Sequence, residues 1–138
     1  MNRKGPIIII EDDLDDQLML KEIFAELNLE NELVLIPDGV RALHYLEDPS
    51  VKPFLVISDV NLPLMSGFEV RKKIDEHEDT RVRCIPYVFL STSSSKDMIC
   101  QAYELSVQGF FTKPTNFKEL KETIRCILHY WQRGKGPN

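Results

Sequence analysis

The sequence predicts an α/β protein, a parallel β-sheet with helices on both faces. Two observations carry that prediction. Short apolar runs rich in β-branched residues recur along the chain, each too short for a helix. Each is followed by a stretch whose apolar residues fall at the spacing of an amphipathic helix. Strand and helix alternating in this order call for parallel strands, and right-handed crossovers leave few topologies open. The length of 138 residues fits one domain spanning 1–138, with a core of about 6–132.

The first strand is Pro6 to Glu11, built on four isoleucines. The first helix runs from Leu14 to Leu27, with Leu20, Ile23, Phe24 and Leu27 as its apolar stripe. Asp13 or Asp15 can cap it, because a short carboxylate accepts the free N–H groups of the first turn. Leu33 to Ile36 reads as the second strand, closed by Pro37-Asp38-Gly39. The second helix spans Val40 to Glu47, with Val40, Leu43, Tyr45 and Leu46 as apolar content, and ends before Pro49.

Phe54 to Ser58 is the third strand. It is apolar at nearly every position, as in a strand buried on both faces of a parallel sheet. Asp59 stands at its C-terminal end. A loop with Pro63 and Gly67 leads to a third helix, Phe68 to Glu78. Tyr87 to Leu90 is the fourth strand, followed by Ser91-Thr92-Ser93-Ser94-Ser95 and a fourth helix, Lys96 to Leu105. Gly109 to Thr112 is a short fifth strand before Lys113-Pro114. The last helix runs from Asn116 to Trp131, with Leu120, Ile124, Ile127, Leu128 and Trp131 inward. Residues 133–138 form a flexible tail.

The bulk properties exclude several classes. No apolar run exceeds the four residues of Ile7 to Ile10, far short of the roughly 20 of a membrane span. No apolar signal core follows Arg3 and Lys4, so a cytoplasmic location is expected. The net charge of −5 argues against a nucleic-acid partner. Arg71-Lys72-Lys73 reads as a solvated helix face. Cys84, Cys100 and Cys126 are odd in number and widely spaced, which signals neither disulfides nor zinc. Cys100 and Cys126 read as buried thiols. His44, His77 and His129 lack ligand spacing.

Parallel α/β sheets bind ligands at the carboxyl ends of their strands. Glu11-Asp12-Asp13, Asp59, Ser91-Thr92 and Lys113 stand at those ends. Two carboxylates 4 Å apart repel by roughly 4 kcal/mol at an effective dielectric of about 20. Protonation or a cation must relieve this, and an all-oxygen site suits Mg²⁺ with a phosphate oxygen. Lys113 suits a phosphate or a carboxylate as a point charge, and a Ser91 hydroxyl can donate to a phosphoryl oxygen. The inventory fits phosphoryl transfer, in which positioning and charge neutralisation do most of the catalysis. Asp59, on the central strand, is the best nucleophile for an aspartyl phosphate.

The chain resembles the response-regulator receiver domains of two-component signalling, over nearly its whole length. The features are Glu11-Asp12, then Ser58-Asp59-Val60-Asn61-Leu62-Pro63 with Met65 and Gly67, then Ser91, Phe110 and Lys113-Pro114. The resemblance implies a flavodoxin-like (βα)5 fold with strand order 2-1-3-4-5. It implies Mg²⁺ held by Glu11, Asp12, Asp59 and the Asn61 backbone carbonyl. Asp59 would be the phosphoacceptor, Ser91 and Lys113 would bind the phosphoryl group, and Phe110 would be the aromatic that swings inward with Ser91. The Lys113–Pro114 bond would be cis. Asp13 becomes a cap if Glu11 and Asp12 are the acidic pair. Thr92 follows the switch hydroxyl where the family usually has a small residue, so Ser91 and Thr92 compete. Phe110 replaces the commoner Tyr.

The implied function is a stand-alone phosphorelay switch, not an enzyme beyond its own phosphorylation and dephosphorylation. A sensor histidine kinase or phosphotransfer protein would supply the phosphoryl group, and an unidentified downstream protein would read it. The helix at 96–105, the fifth strand and the last helix would form the signalling face and a homodimer contact. Two alternatives stand beside this. One is a receiver-like interaction module independent of phosphorylation. The other is a phosphatase of the haloacid-dehalogenase type, which needs a second acid two residues beyond the nucleophile, where this chain has Asn61.

Overall fold

The computed structural model describes residues 2–135. β1 (Ile7–Ile10), β2 (Leu33–Ile36), β3 (Leu55–Ser58), β4 (Tyr87–Ser91) and β5 (Gly109–Thr112) form one parallel sheet in the order β2-β1-β3-β4-β5. The helices are α1 (Leu14–Leu27), α2 (Gly39–Glu47), α3 (Gly67–Asp75), α4 (Thr80–Arg83), α5 (Lys96–Glu104) and α6 (Phe117–Arg133). The expected fold class and strand order are both present.

The alternation of side chains along a strand splits the core into two layers. Ile8 and Ile10 of β1 join Val56, Tyr87 and Phe89 against α2, α3 and α5. Ile7 and Ile9 join Leu55, Ile57, Val88 and Leu90 against α1 and α6. Both faces of β1 and β3 are therefore dry, which is why these strands read as unbroken apolar runs. The strand ends are held in register at the top: Glu11 N donates to Ile36 O at 3.0 Å, and Asp59 N to Ile10 O at 3.0 Å.

Asp13, not Asp15, caps α1, accepting from Asp16 N at 3.0 Å. Asp38, Ser66, Ser95 and Asn116 cap α2, α3, α5 and α6 in the same way. Each satisfies a donor that the helix cannot satisfy itself.

Several expectations are corrected. The third helix stops at Asp75, and a separate single turn, α4, follows, capped by Asp79. Asp79 competes for the backbone there and restarts the chain, while Val82 and Ile85 fill the core beneath. Val40 is 46% exposed, because Ala42, Leu43 and Leu46 already fill the inward stripe of α2. Cys100 and Cys126 are exposed. The buried positions of α6 are 120, 124, 127 and 128, and Ala102 is the one fully buried residue of α5, so both thiols fall off the inward stripes. Arg71 is buried, not solvated; its partners lie across the core on another element. Arg133 belongs to α6, and residues 136–138 of the expected tail lie outside the described residues. Among the described residues no helix is long and apolar enough to cross a membrane.

The turn from β3 into α3 is one of the tight points of the fold. Gly67 N donates to Val60 O at 2.7 Å, and a Cβ on Gly67 would lie 2.1 Å from Asp59 O and 2.9 Å from the Phe89 ring. Gly67→Ala should therefore displace the Asp59 backbone and lower the unfolding free energy by roughly 1–3 kcal/mol. Urea unfolding checks this, and an unchanged midpoint would contradict the close approach.

Candidate functional site

The polar cluster sits at the carboxyl ends of β1, β3, β4 and β5. Glu11 follows β1 and is 2% exposed. Its backbone carbonyl accepts from Gln17 Nε2 at 2.6 Å, and its Oε2 accepts from Asp13 N at 3.2 Å. The same first turn of α1 thus orients both Glu11 and its cap. Asp59 follows β3; Val60 N donates to its Oδ1 at 2.7 Å, which fixes the carboxylate plane. Ser58 Oγ donates to Asp59 O at 2.7 Å and steadies the backbone below it. Asp12 is exposed at the rim, and one carboxylate oxygen each from Glu11, Asp12 and Asp59 lie within 4.8 Å of one another.

Lys113 reaches this cluster from the end of β5. Its backbone N donates to Ser91 O at 2.8 Å, which extends the β4–β5 pairing to the site. The side chain is buried, and Nζ donates to Glu11 Oε1, to Asp16 Oδ2 at 3.1 Å and to Asp59 Oδ2 at 3.4 Å. Three carboxylates around one ammonium satisfy all three of its donors. Burial opposes the charge of Lys113, but the Glu11 hydrogen bond and the Asp59 and Asp16 carboxylates outweigh it and hold the ammonium above the ordinary lysine value. Its contribution to stability is present below that ordinary value and is lost only as pH rises through the higher folded one. Burial pushes the Glu11 carboxyl up, against the opposing pull of Lys113. Its ionisation therefore costs stability as pH rises past the ordinary carboxyl value.

Ser91 is fully buried at the end of β4, its Oγ accepting from Ser93 N at 3.3 Å, whereas Thr92 is exposed. Ser91 is therefore the hydroxyl that the strand carries inward. Asn61 is exposed in the loop after Asp59. Phe110 is half-buried and packs at the edge of the core, its ring 6.1 Å from that of Phe89. The expected cis bond at Lys113–Pro114 is absent; there are no cis peptides among the described residues. Trans is the lower-energy isomer, and Lys113 Nζ reaches the carboxylates with it.

Asp16 is the site residue that sequence reasoning missed. Acidic residues in a first helical turn are ordinarily explained by the helix dipole, so nothing in the sequence marks it out. Only the fold brings it over Lys113.

The family profile for the response regulator receiver domain matches residues 7–125. The chain belongs to that family. It is 32% identical over 130 residues to the response regulator Rcp1 of Synechocystis, covering 91% of this chain and 87% of that protein. It superposes on the phosphorylated cyanobacterial phytochrome response regulator RcpA with a TM-score of 0.88 and 31% identity, over 97% of this chain and 99% of that one. The Mn²⁺-bound form of Rcp1 is similar, with a TM-score of 0.84 and 30% identity over 97% and 99% of the two chains. This receiver domain is a signalling switch worked by aspartate phosphorylation and read through protein contacts. It is not an enzyme toward other substrates, and its family works with a sensor histidine kinase or phosphotransfer protein.

The donor set also suits a hard divalent cation: the three clustered groups offer only oxygen, and one of them is exposed for access. Lys113 is the charge that holds these carboxylates together without a metal. Lys113→Met should destabilise the fold by roughly 3 kcal/mol, since it strands a buried carboxylate. Added Mg²⁺ should recover part of the loss. Urea titrations with and without Mg²⁺ test this; equal stability of the two proteins would show that the ion pair is idle.

Proposed function

We propose that Asp59 is the phosphoacceptor of this receiver domain, and that it takes its phosphoryl group from a histidine kinase or phosphotransfer protein. The observation that carries the reading is the convergence of Glu11, Asp12 and Asp59 with Lys113 at the strand ends. Glu11, Asp12, Asp59 and the backbone carbonyl of Asn61 would hold Mg²⁺. When bound, the ion supplies charge neutralisation for the carboxylates and the phosphoryl oxygens.

In the transfer, the P–N bond to the donor imidazole breaks as a P–O bond to Asp59 forms. The imidazole nitrogen keeps the bonding pair and takes up a proton. Asp59 attacks as a carboxylate and needs no general base. Its Oδ1 stays bonded to Val60 N–H, and Lys113 stands beside Oδ2 to meet the incoming negative charge. Ser91, at the end of the adjacent strand, would donate its hydroxyl to the phosphoryl group. Lys113 and Ser91 are joined through their backbones, so the two groups that sense the phosphoryl group share one strand pair. Phe110 carries no hydroxyl, so its switching acts through packing against Phe89.

The signal would leave through α5, β5 and α6, either to a partner protein or to a second copy of the chain. The exposed Tyr103 on α5 and Phe111 on β5 support that face. A cytoplasmic location goes with this reading.

Incubation with Mg²⁺ and acetyl phosphate, followed by intact mass measurement, tests it. One phosphoryl group should add to the native chain and none to Asp59→Asn. No adduct at saturating donor and metal would sink the proposal, and sustained turnover of many phosphoesters would point to a phosphatase.

A further inference from the structure

Arg71 is the one charged residue of α3 that is buried, at 2% exposure. Its Nε donates to Leu105 O and its Nη2 to Ser106 O, both at 2.9 Å. The guanidinium carbon lies 5.6 Å from the centroid of the Tyr87 ring, and Asp75 stands 3.6 Å from Nη2. Leu105 is the C-cap of α5, and Ser106 takes the left-handed conformation with φ of 60°. Gln108 secures the same turn. Its side chain accepts from Tyr87 N at 2.7 Å and donates to Ser106 O at 3.1 Å, and its backbone N donates to Tyr87 O at 3.0 Å.

The segment held in this way begins and ends in the phosphorylation site. Ser91 opens it and Lys113 closes it, and the two are bonded to each other. Its apex, Leu105 and Ser106, is fastened to α3 by Arg71. The part between Ser91 and the apex is held by little: Ala102 is the one fully buried residue of α5, and Met98 and Ile99 are half-buried. A displacement starting at Ser91 therefore meets a loose N-terminal half of α5 and a pinned C-terminal end.

An apolar residue of the same size could fill the space under Tyr87. It could not bind two carbonyl oxygens, and a lysine has no planar fork to do so. Burying a guanidinium is costly, and Nη1 has no protein partner. What the arginine secures is the position of the turn.

We propose that Arg71 is a positioning residue that fixes the α5–β5 turn, so that phosphorylation reaches the signalling face as a swing of the N-terminal half of α5 about that fixed point. The proposal rests on Asp59 being the phosphoacceptor. Hydrogen exchange of the full chain, with and without Mg²⁺ and beryllofluoride as the phosphoryl mimic, tests it. Amides in 92–99 should change their exchange by roughly tenfold or more, while those in 103–108 stay within about twofold. In Arg71→Met and Arg71→Lys the change should spread into 103–108, with the rate of phosphorylation by acetyl phosphate held within about twofold of the native rate. Equal changes in both regions of the native chain would overturn the proposal, as would an unaltered pattern in the variants. If the variants fail to fold, the native comparison decides alone. Acetyl phosphate giving no adduct on Asp59 would remove both this proposal and the reading it rests on. An adduct with equal changes in the two regions would remove the pinned turn only.

Discussion

The structure turns on one buried ammonium among carboxylates. Lys113 is drawn to Glu11, Asp16 and Asp59, which come from three different elements and which would otherwise repel one another. A parallel sheet makes this possible because all its strands end on the same side. Dry faces on β1 and β3 leave their C-terminal ends as the nearest place where polar groups meet water. The same crowding makes the cluster reactive. A site whose charges balance only when a cation is present is a site that answers to added cation or added phosphate.

The arrangement also explains why the pocket and the far end of β5 form one mechanical unit. Lys113 N bonds Ser91 O, so the ammonium cannot shift along its strand without moving the end of β4. Phe89 of β4 lies directly across from Phe110 of β5 and also touches Tyr87 and Phe68. A displacement of the strand ends would thus carry into aromatic contacts that face α3 and α5. Side chains that pack at crystal-like density do not deform smoothly, which favours two discrete arrangements over a continuum.

Much of this was legible in the sequence, for identifiable reasons. The strands were legible because a buried parallel strand has no alternation to confuse and is too short for a helix. Glu11, Asp59 and Lys113 were legible because charged residues that flank apolar strands have few structural reasons to be there. Two of the missed features, Asp16 and Arg71, share a cause: each depends on a partner distant in sequence. Asp16 looks like any acidic first turn until Lys113, 97 residues away, reaches it. Arg71 looks like part of a basic helix face until the carbonyls of Leu105 and Ser106 supply its partners, 34 and 35 residues on. Cys126 sits among apolar neighbours in sequence, yet the inward stripe of α6 passes it by. The α4 turn was hidden because a cap at Asp79 is a local choice, made against the longer helix that the preceding residues could have continued.

Arg71 and Lys113 are the two buried cations of the described residues, and they solve opposite problems. Lys113 is matched by carboxylates, so a phosphoryl oxygen, also an anionic hydrogen-bond acceptor, could take the place of one of them. Arg71 is matched chiefly by neutral carbonyls and an aromatic face, with Asp75 only at the edge. No incoming anion competes for those partners, because the contacts lie at the apex of the Ser91–Lys113 segment, away from the strand-end site. One cation is therefore placed to respond and the other to stay. A switch needs both, since a motion that begins at Ser91 has direction only if some part of the segment is held still.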